Sequence, residues 1–230
     1  MVDAGKSDRL SDLSDDVLIH VLSFLPTNEA ARTTVMSRRW RCPLWLDTAV
    51  VNLDSRSCAN TGGVGSSAAS NADHALALQH SHGRVPSKIT IVMHNGSMHD
   101  DVLRAACRDE AAVEELRLDC KDGGRPPCLM RYCKGCPDSQ MYPLPPTSLP
   151  FAALRVLVLN GCHLKQPTWS VAFPCLATLR LRLCAMEVAT LQDMVSSAPM
   201  LADLRLESLS FNGLSTTISA SAARWPPPSP

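Results

Sequence analysis

The sequence lacks an excess of charge and a long apolar run, and each absence excludes a class of protein. Its 230 residues contain 22 Lys and Arg against 22 Asp and Glu, so the formal net charge is zero. That balance argues against a general binder of nucleic acids or anionic membranes, which needs an excess of positive charge. The apolar stretches are short, as where Arg155 interrupts the run from Leu154 to Leu159, so no segment is predicted to cross a bilayer.

Signals for secretion and catalysis are also lacking. The N-terminus, MVDAGKSDRLSD, is polar and has no apolar core of the kind found in signal peptides. We therefore expect the chain in the cytoplasm, the nucleus or both, where its ten cysteines are mostly thiols. No G-x-S-x-G, no H-E-x-x-H and no phosphate-binding glycine loop is present. The sequence thus predicts a protein that is not an enzyme and uses no cofactor.

Composition divides the chain into four regions. Residues 8–50 are dense in helix signals, whereas residues 51–72 are rich in Gly, Ser, Ala and Asn and are predicted to form a flexible linker. Residues 73–212 carry recurrent leucine patterns, with an insertion at about residues 121–150. Residues 213–230 end in RWPPPSP and are predicted to be a disordered tail.

The first region predicts three short helices with a partly uncovered apolar surface. Ser14 is a candidate N-cap, and Pro26 is expected to end the first helix. So small a unit has too little interior to bury all its apolar groups, which should leave a patch at the surface. Such patches usually mark protein interfaces, although the rest of the chain could equally cover this one. Its candidate members are Leu13, Val21, Leu22, Leu25, Val35 and Trp40.

The third region contains repeats. Copies of the pattern L-x-x-L-x-L begin at residues 113, 154, 176 and 201, and the last two steps fit the length of a leucine-rich repeat. Each copy predicts a short strand with inward-facing leucines, and Ile89 to Met93 is interpreted as an earlier, degenerate strand. Cys162 and Cys184 occupy the small, buried position that follows such a strand. Residues 100–112 and 186–198 predict amphipathic helices.

A leucine-rich-repeat solenoid needs a terminal cap over its last open core face. None is visible in the sequence after Leu209. We therefore expect the repeat region to be truncated or divergent.

Two stretches together carry a resemblance to a known family. LSDDVLIHVLSFLP at residues 13–26, followed by VMSRRWR at residues 35–41, resembles the plant-type F-box. The leucine patterns resemble the repeats of plant F-box/leucine-rich-repeat proteins, so the likeness extends from about Asp8 to about Phe211. It implies an α/β fold: an N-terminal three-helix F-box followed by a short leucine-rich-repeat solenoid of parallel strands and helices.

This resemblance implies the substrate-recognition subunit of a Skp–Cullin–F-box ubiquitin ligase. The F-box would dock on a Skp-family adaptor, and through it on Cullin, while the repeats would hold an unknown target protein. Ser14 stands where the family usually has proline, which preorganises the helix entry, so weaker docking is expected. The adaptor contacts would be Leu13, Ser14, Val21, Leu22, Leu25, Val35 and Trp40. The target contacts would be the exposed repeat residues Arg155, Arg180, Arg182 and Glu207.

Two other functions stay open. Ser14 and the missing cap favour a non-ligase interaction protein, whose F-box patch packs internally or is too weak to recruit Cullin. A zinc-dependent module is the other, because four cysteines spaced C-x7-C-x4-C-x2-C could bind zinc. The first two spacings match no common zinc pattern, and a loop with free thiols would have the same sequence. The four are Cys120, Cys128, Cys133 and Cys136.

Overall fold

The structure, a computed structural model, consists of a small helical module followed by a sheet. It describes residues 12–36, 39–40, 44–54, 77–78, 81–83, 85–94, 113–121, 141–144, 149, 152–164, 172–211 and 214–224. The predicted helix at residues 100–112 lies outside these. No helix among the described residues is long and apolar enough to span a membrane.

The helical module contains helices α1 (Asp15–Leu22) and α2 (Thr27–Arg32), and two 3-10 turns at Thr33–Val35 and Leu44–Asp47. Ser14 is the N-cap of α1, as predicted, but its side chain makes no capping hydrogen bond. Helix α1 already ends at Leu22, before Pro26, which instead precedes α2 as its N-cap. The core of the module is formed by Leu18, Leu22, Ala30, Leu44, Trp45 and Leu46.

In the part of the chain that the structure describes, ten strands form one sheet. They are β1 (Val50–Asp54), β2 (Lys88–His94), β3 (Glu115–Lys121), β4 (Tyr142–Pro143), β5 (Val156–Asn160), β6 (Cys162–Leu164), β7 (Thr178–Arg182), β8 (Ala185–Met186), β9 (Asp203–Phe211) and β10 (Leu214–Arg224). Strands β1, β2, β3, β5, β7 and β9 lie side by side and parallel. The short strands β8, β6 and β4 continue from the far end of β9. This curled parallel sheet, with helix α3 (Val188–Ser196), confirms the predicted α/β solenoid.

The leucine pattern explains the register of the sheet. Leu116, Leu157 and Leu179 are direct partners across β3, β5 and β7, and all three are fully buried. A second layer of leucines, two residues further along each strand, repeats this arrangement. Since side chains alternate across a strand, the residues between the leucines must lie on the opposite face. Each buried leucine stabilises the fold by roughly 1.5–3 kcal/mol.

Two predicted boundaries are wrong. Residues 51–54, assigned to the linker, belong to β1, because Val51 buries its side chain in the sheet core while β1 pairs with β2. Residues 214–224, assigned to the disordered tail, form β10, which pairs antiparallel with β9. The rest of both segments lies outside the described residues. The sequence pattern missed β1 and β10 because neither carries the repeat's leucine spacing.

Both outer edges of the parallel sheet are covered. Strand β10 covers the free edge of β9, where the sequence showed no cap. At the other end, the backbone N–H of Asn52 in β1 donates to the hydroxyl of Thr27 in α2, 3.0 Å away. The helical module therefore meets the edge of the first strand directly.

Candidate functional site

Helix α1 carries two apolar stripes. Leu18 and Leu22 face the core of the module, and Leu25 packs against that core just beyond the helix. The residue before each of these three is apolar and exposed: Val17, Val21 and Phe24 have 44%, 45% and 72% of their surface in solvent. At 3.6 residues per turn, neighbouring residues point about 100° apart, so the two stripes lie side by side on the helix. One stripe builds the module, and the other is available to a partner.

The structure divides the predicted adaptor contacts by exposure. Ser14, Val21 and Val35 are exposed, and Val35 shows 87% of its surface. Leu13, Leu25 and Trp40 are half-buried against the module's core. Leu22, at 2% exposed, is a core residue of the module. The predicted contacts also leave out Val17, Phe24 and Met36, which are exposed.

Arg39 fixes the entry to α1. Its guanidinium donates to the carboxylate of Asp15 at 2.7 Å and to the backbone carbonyl of Leu13. An ion pair across 24 residues has no signature in local spacing. Arg39 thereby fixes the segment from Leu13 to Asp15, which contains Ser14, to the part of the module that follows the turn at Thr33–Val35.

Asn52 joins the module to the sheet. Its side-chain amide donates to the backbone carbonyls of Ser23 at 2.7 Å and Leu25 at 3.1 Å. With the backbone bond to Thr27, three hydrogen bonds link β1 to the turn between α1 and α2. The carbonyls at the end of a helix lack intrahelical partners, and Asn52 satisfies two in this turn. The predicted linker therefore begins with a rigid attachment.

A groove runs beside this attachment, with a volume of about 310 Å³. Phe24 and Pro26 of the helical module line one side, and Thr90, Val92 and Arg117 of β2 and β3 line the other. Phe24 also contacts the ring of His20 edge-on, with centroids 5.0 Å apart. The exposed stripe of α1 thus continues towards the sheet.

The strand residues that alternate with the buried leucines form a second surface, the polar strand face. It is defined by Glu115, Arg117, Asp119, Val156, Val158, Asn160, Thr178, Arg180, Arg182, Asp203, Arg205 and Glu207. Ion pairs cross it between strands: Arg180 with Asp203 at 3.1 Å, and Arg182 with Glu207 at 3.6 Å. The Nδ2 group of Asn160 donates to Asp119 at 2.7 Å.

Three of the four predicted target contacts share this face. Arg180, Arg182 and Glu207 lie on adjacent strands, and Arg182 is the direct register partner of Glu207. Arg155 does not join them, because it precedes β5 and lies outside the strand. It is exposed there, and its backbone N–H donates to the carbonyl of Glu114. Alternation along the strand, rather than exposure alone, selects the members of the face.

Asp203 is the electrostatic centre of the face and was not predicted. It accepts hydrogen bonds from Arg180 on β7 and from Arg205 on its own strand. Desolvation raises its pKa, but the two arginines outweigh that effect and leave the pKa of Asp203 below its ordinary value. The carboxylate therefore stays ionised at neutral pH and orders two guanidinium groups.

The cysteines separate into two groups. Cys162 and Cys184 are fully buried, as the repeat motif predicts, and their thiols donate to backbone carbonyls of Asn160 and Arg182. Of the candidate zinc ligands only Cys120 is described, and its sulfur lies beside Cys162. Among the described residues, no group of three or more His, Cys, Asp or Glu could hold a metal ion. The candidates Cys128, Cys133 and Cys136 lie outside the described residues.

Comparisons with known proteins match both parts of the chain. The F-box domain model matches residues 10–42, and the model of the leucine-rich repeats of the FBD-associated F-box protein At5g56370 matches residues 129–224. The chain therefore carries an F-box and a second segment similar to the leucine-rich repeats of an FBD-associated F-box protein. The helical module is its F-box, and the sheet contains its repeats, as the resemblance implied.

Relatives in Arabidopsis thaliana agree with this assignment. F-box/LRR-repeat protein At3g59190 is 53% identical over 53 residues, which are 23% of this chain and 13% of that protein. Putative F-box/LRR-repeat protein At5g41840 is 25% identical over 224 residues, 88% of this chain and 37% of that protein. The chain therefore spans well under two thirds of the length of either relative. No solved structure matches it.

Proposed function

We propose that this F-box/leucine-rich-repeat protein is the substrate-recognition subunit of a Skp–Cullin–F-box ubiquitin ligase. The exposed stripe of Val17, Val21 and Phe24 carries the proposal, because it lies within the segment that matches the F-box model. Solvated apolar stripes of this kind usually mark protein interfaces. The F-box would dock on a Skp-family adaptor, and the adaptor would bring Cullin.

The chain would act by proximity rather than by chemistry. Holding a target close to the conjugating machinery raises the effective concentration of its lysines. That effect is greatest when the two docking surfaces keep a fixed relation. The three hydrogen bonds of Asn52 support such a relation, because they attach the F-box to the first strand of the repeats.

The polar strand face is the candidate surface for the target protein. Its ion pairs Arg180–Asp203 and Arg182–Glu207 are solvent-accessible and arranged in fixed rows by the sheet register. A partner could replace one member of each pair with a group of its own. Exposed ion pairs are worth at most about 1 kcal/mol, so opening them costs little.

The test is co-purification of the full chain with a recombinant Skp-family adaptor. Val21→Asp places a charge in the exposed stripe, and burying a valine is worth roughly 1.5 kcal/mol or more. We therefore expect at least about a tenfold loss of adaptor affinity. Val188→Asp on α3 is the matched control, since Val188 is 48% exposed and Val21 is 45% exposed. Adaptor binding that survives Val21→Asp unchanged would refute the assignment of the stripe.

A non-ligase interaction protein is the second candidate, and Ser14 favours it. The residue replaces the family's proline and its hydroxyl makes no capping bond, so the entry to α1 gains nothing from the serine side chain. Capture of adaptor without Cullin, or of neither, would support this second function. Capture of both would support the ligase.

A further inference from the structure

Three thiols meet at one end of the repeat strands. The sulfur atoms of Cys120 and Cys162 are 3.6 Å apart, although the residues are 42 positions apart in sequence. Cys184 also contacts Cys162 through its side chain. Cys162 and Cys184 are fully buried, whereas Cys120 is half-buried.

The repeat motif explains two of these cysteines but not the third. Cys162 and Cys184 each follow the last leucine of a strand by three positions, and their thiols donate to backbone carbonyls in the turn. In β3 that position belongs to Lys121, and Cys120 comes one residue earlier. The contact between Cys120 and Cys162 is therefore not a requirement of the repeat.

The backbone brings this pair together at Gly161. Asp119 and Asn160 are register partners, which places Cys120 opposite Gly161 at the end of β5. Gly161 has φ +71°, and a Cβ added there would lie 2.4 Å from the carbonyl oxygen of Cys120. Only glycine permits this turn and this approach. The chain then enters β6 with Cys162 beside β3.

We propose that Cys120 and Cys162 form a reversible disulfide when the protein meets hydrogen peroxide. Cys120, the half-buried thiol, reacts first: its sulfur attacks the peroxide O–O bond, becomes a sulfenic acid, and one water leaves. The sulfur of Cys162 then attacks that of Cys120, and the departing hydroxide takes the Cys162 proton as a second water. Two thiols and one hydrogen peroxide thus give one disulfide and two waters, and a dithiol reductant reverses the reaction.

The environment of Cys162 sets this order. Hydrogen bonding to Cys120 and Cys184, together with burial, raises the pKa of the Cys162 thiol well above its ordinary value. A protonated, fully buried thiol is a poor first nucleophile towards peroxide. Once Cys120 is a sulfenic acid, the Cys162 thiol lies beside it and needs to move only from 3.6 Å to bonding distance.

The bond would close the base of the insertion. The segment between β3 and β4 leaves the sheet just after Cys120 and returns at Tyr142, whose N–H donates to the carbonyl of Gly161 at 3.2 Å. Both ends of that segment therefore meet at Gly161 and Cys162. Oxidation would join the start of the segment covalently to Cys162, while its other end at Tyr142 keeps its hydrogen bond to Gly161. The bond would lie next to Asp119 and Asn160 of the polar strand face.

The experiment maps disulfides in the full chain after treatment with hydrogen peroxide. Remaining thiols are alkylated after denaturation, and the digest is analysed without reduction by mass spectrometry. We expect a peptide pair joined through Cys120 and Cys162 as the dominant product, and its disappearance on adding dithiothreitol. Cys175→Ser is the matched control, because Cys175 is an exposed free cysteine outside the pair. This variant should form the same bond.

A second measurement follows the intermediate. In Cys162→Ser, Cys120 should accumulate as a sulfenic acid that dimedone traps, whereas the wild type should give little adduct. Three results would overturn the proposal: free Cys162 after oxidation, a Cys162–Cys184 bond, or Cys120 joined to another cysteine. The mapping uses the wild-type chain, so a folding defect of the variant would not affect it.

Discussion

The attachment of the F-box to the repeats should depend on Asn52. Its side-chain amide donates two hydrogen bonds, at 2.7 Å to Ser23 and 3.1 Å to Leu25. Each contributes a net 0.5–1.5 kcal/mol as an order of magnitude, so Asn52→Ala should weaken the attachment by about 1–3 kcal/mol. That free energy corresponds to about a 5- to 150-fold increase in the population with the F-box detached from β1.

Hydrogen exchange measured by mass spectrometry can detect this opening. Amides in β1 and in the turn that follows α1 should exchange faster in Asn52→Ala by the same factor, while those of β5 and β7 should not change. Asn52→Asp should be more severe, because a carboxylate would face two carbonyl oxygens at hydrogen-bond distance. The order of severity separates a hydrogen-bonding role from simple packing.

The matched control is Thr90→Ala. Thr90 is the register partner of Asn52 on β2 and lines the same groove. The substitution therefore removes a polar side chain that is directly adjacent to Asn52 in the sheet. Equal exchange in Asn52→Ala and wild type would refute the reasoning. An equal acceleration of exchange in Thr90→Ala would also refute it, because the faster exchange would then come from a general loosening of the sheet edge and not from the loss of the Asn52 hydrogen bonds.

Four further substitutions test the two surfaces. Leu22→Ala removes a side chain that is 2% exposed and should lower the free energy of unfolding by about 2–5 kcal/mol. Val35→Ala, at 87% exposed, should change it by less than about 0.5 kcal/mol. Urea denaturation distinguishes the two, and equal effects would contradict the placement of Leu22 in the core and of Val35 at the surface. Ser14→Pro should strengthen adaptor binding and stabilise the F-box by about 0.4–1 kcal/mol, because the observed φ of −67° already suits proline; isothermal titration calorimetry that shows weaker binding would reject this. Because the pKa of Asp203 is lowered in the folded protein, its ionised carboxylate stabilises the fold at a pH above the ordinary carboxyl pKa, and this contribution is lost as the pH falls through the folded-state pKa. Asp203→Asn should therefore make the free energy of urea unfolding depend less on acid pH. An unchanged pH profile would contradict the ion-pair assignment.

The repeat spacing alone located much of the fold. Leucines at alternate positions of each copy are all buried when the copies stack as parallel strands. Leu116, Leu157 and Leu179 are stacked in this way on β3, β5 and β7. Ile89 to Met93 was recognised as β2 on the same principle. The amphipathic pattern after Met186 likewise predicted α3. These elements follow from local periodicity, which the sequence displays directly.

The F-box was recognisable, but its working surface was not. Apolar residues at adjacent positions of α1 are equivalent in composition, and only packing against the turn at Leu44–Asp47 assigns Leu22 to the core and leaves Val21 in solvent. The same holds for Arg155, which is exposed but lies outside the face shared by Arg180 and Arg182. Exposure and direction depend on the neighbours that each element meets.

Sequence by itself determined the strand periodicity, the F-box motif and the buried cysteine positions, because each is written in spacings of a few residues. Only the tertiary structure decided what lies between distant segments: Asn52 against the turn after α1, Asp203 between two arginines, and Cys120 beside Cys162. These contacts depend on strand register and on the turn at Gly161, which bring together residues that no local pattern relates.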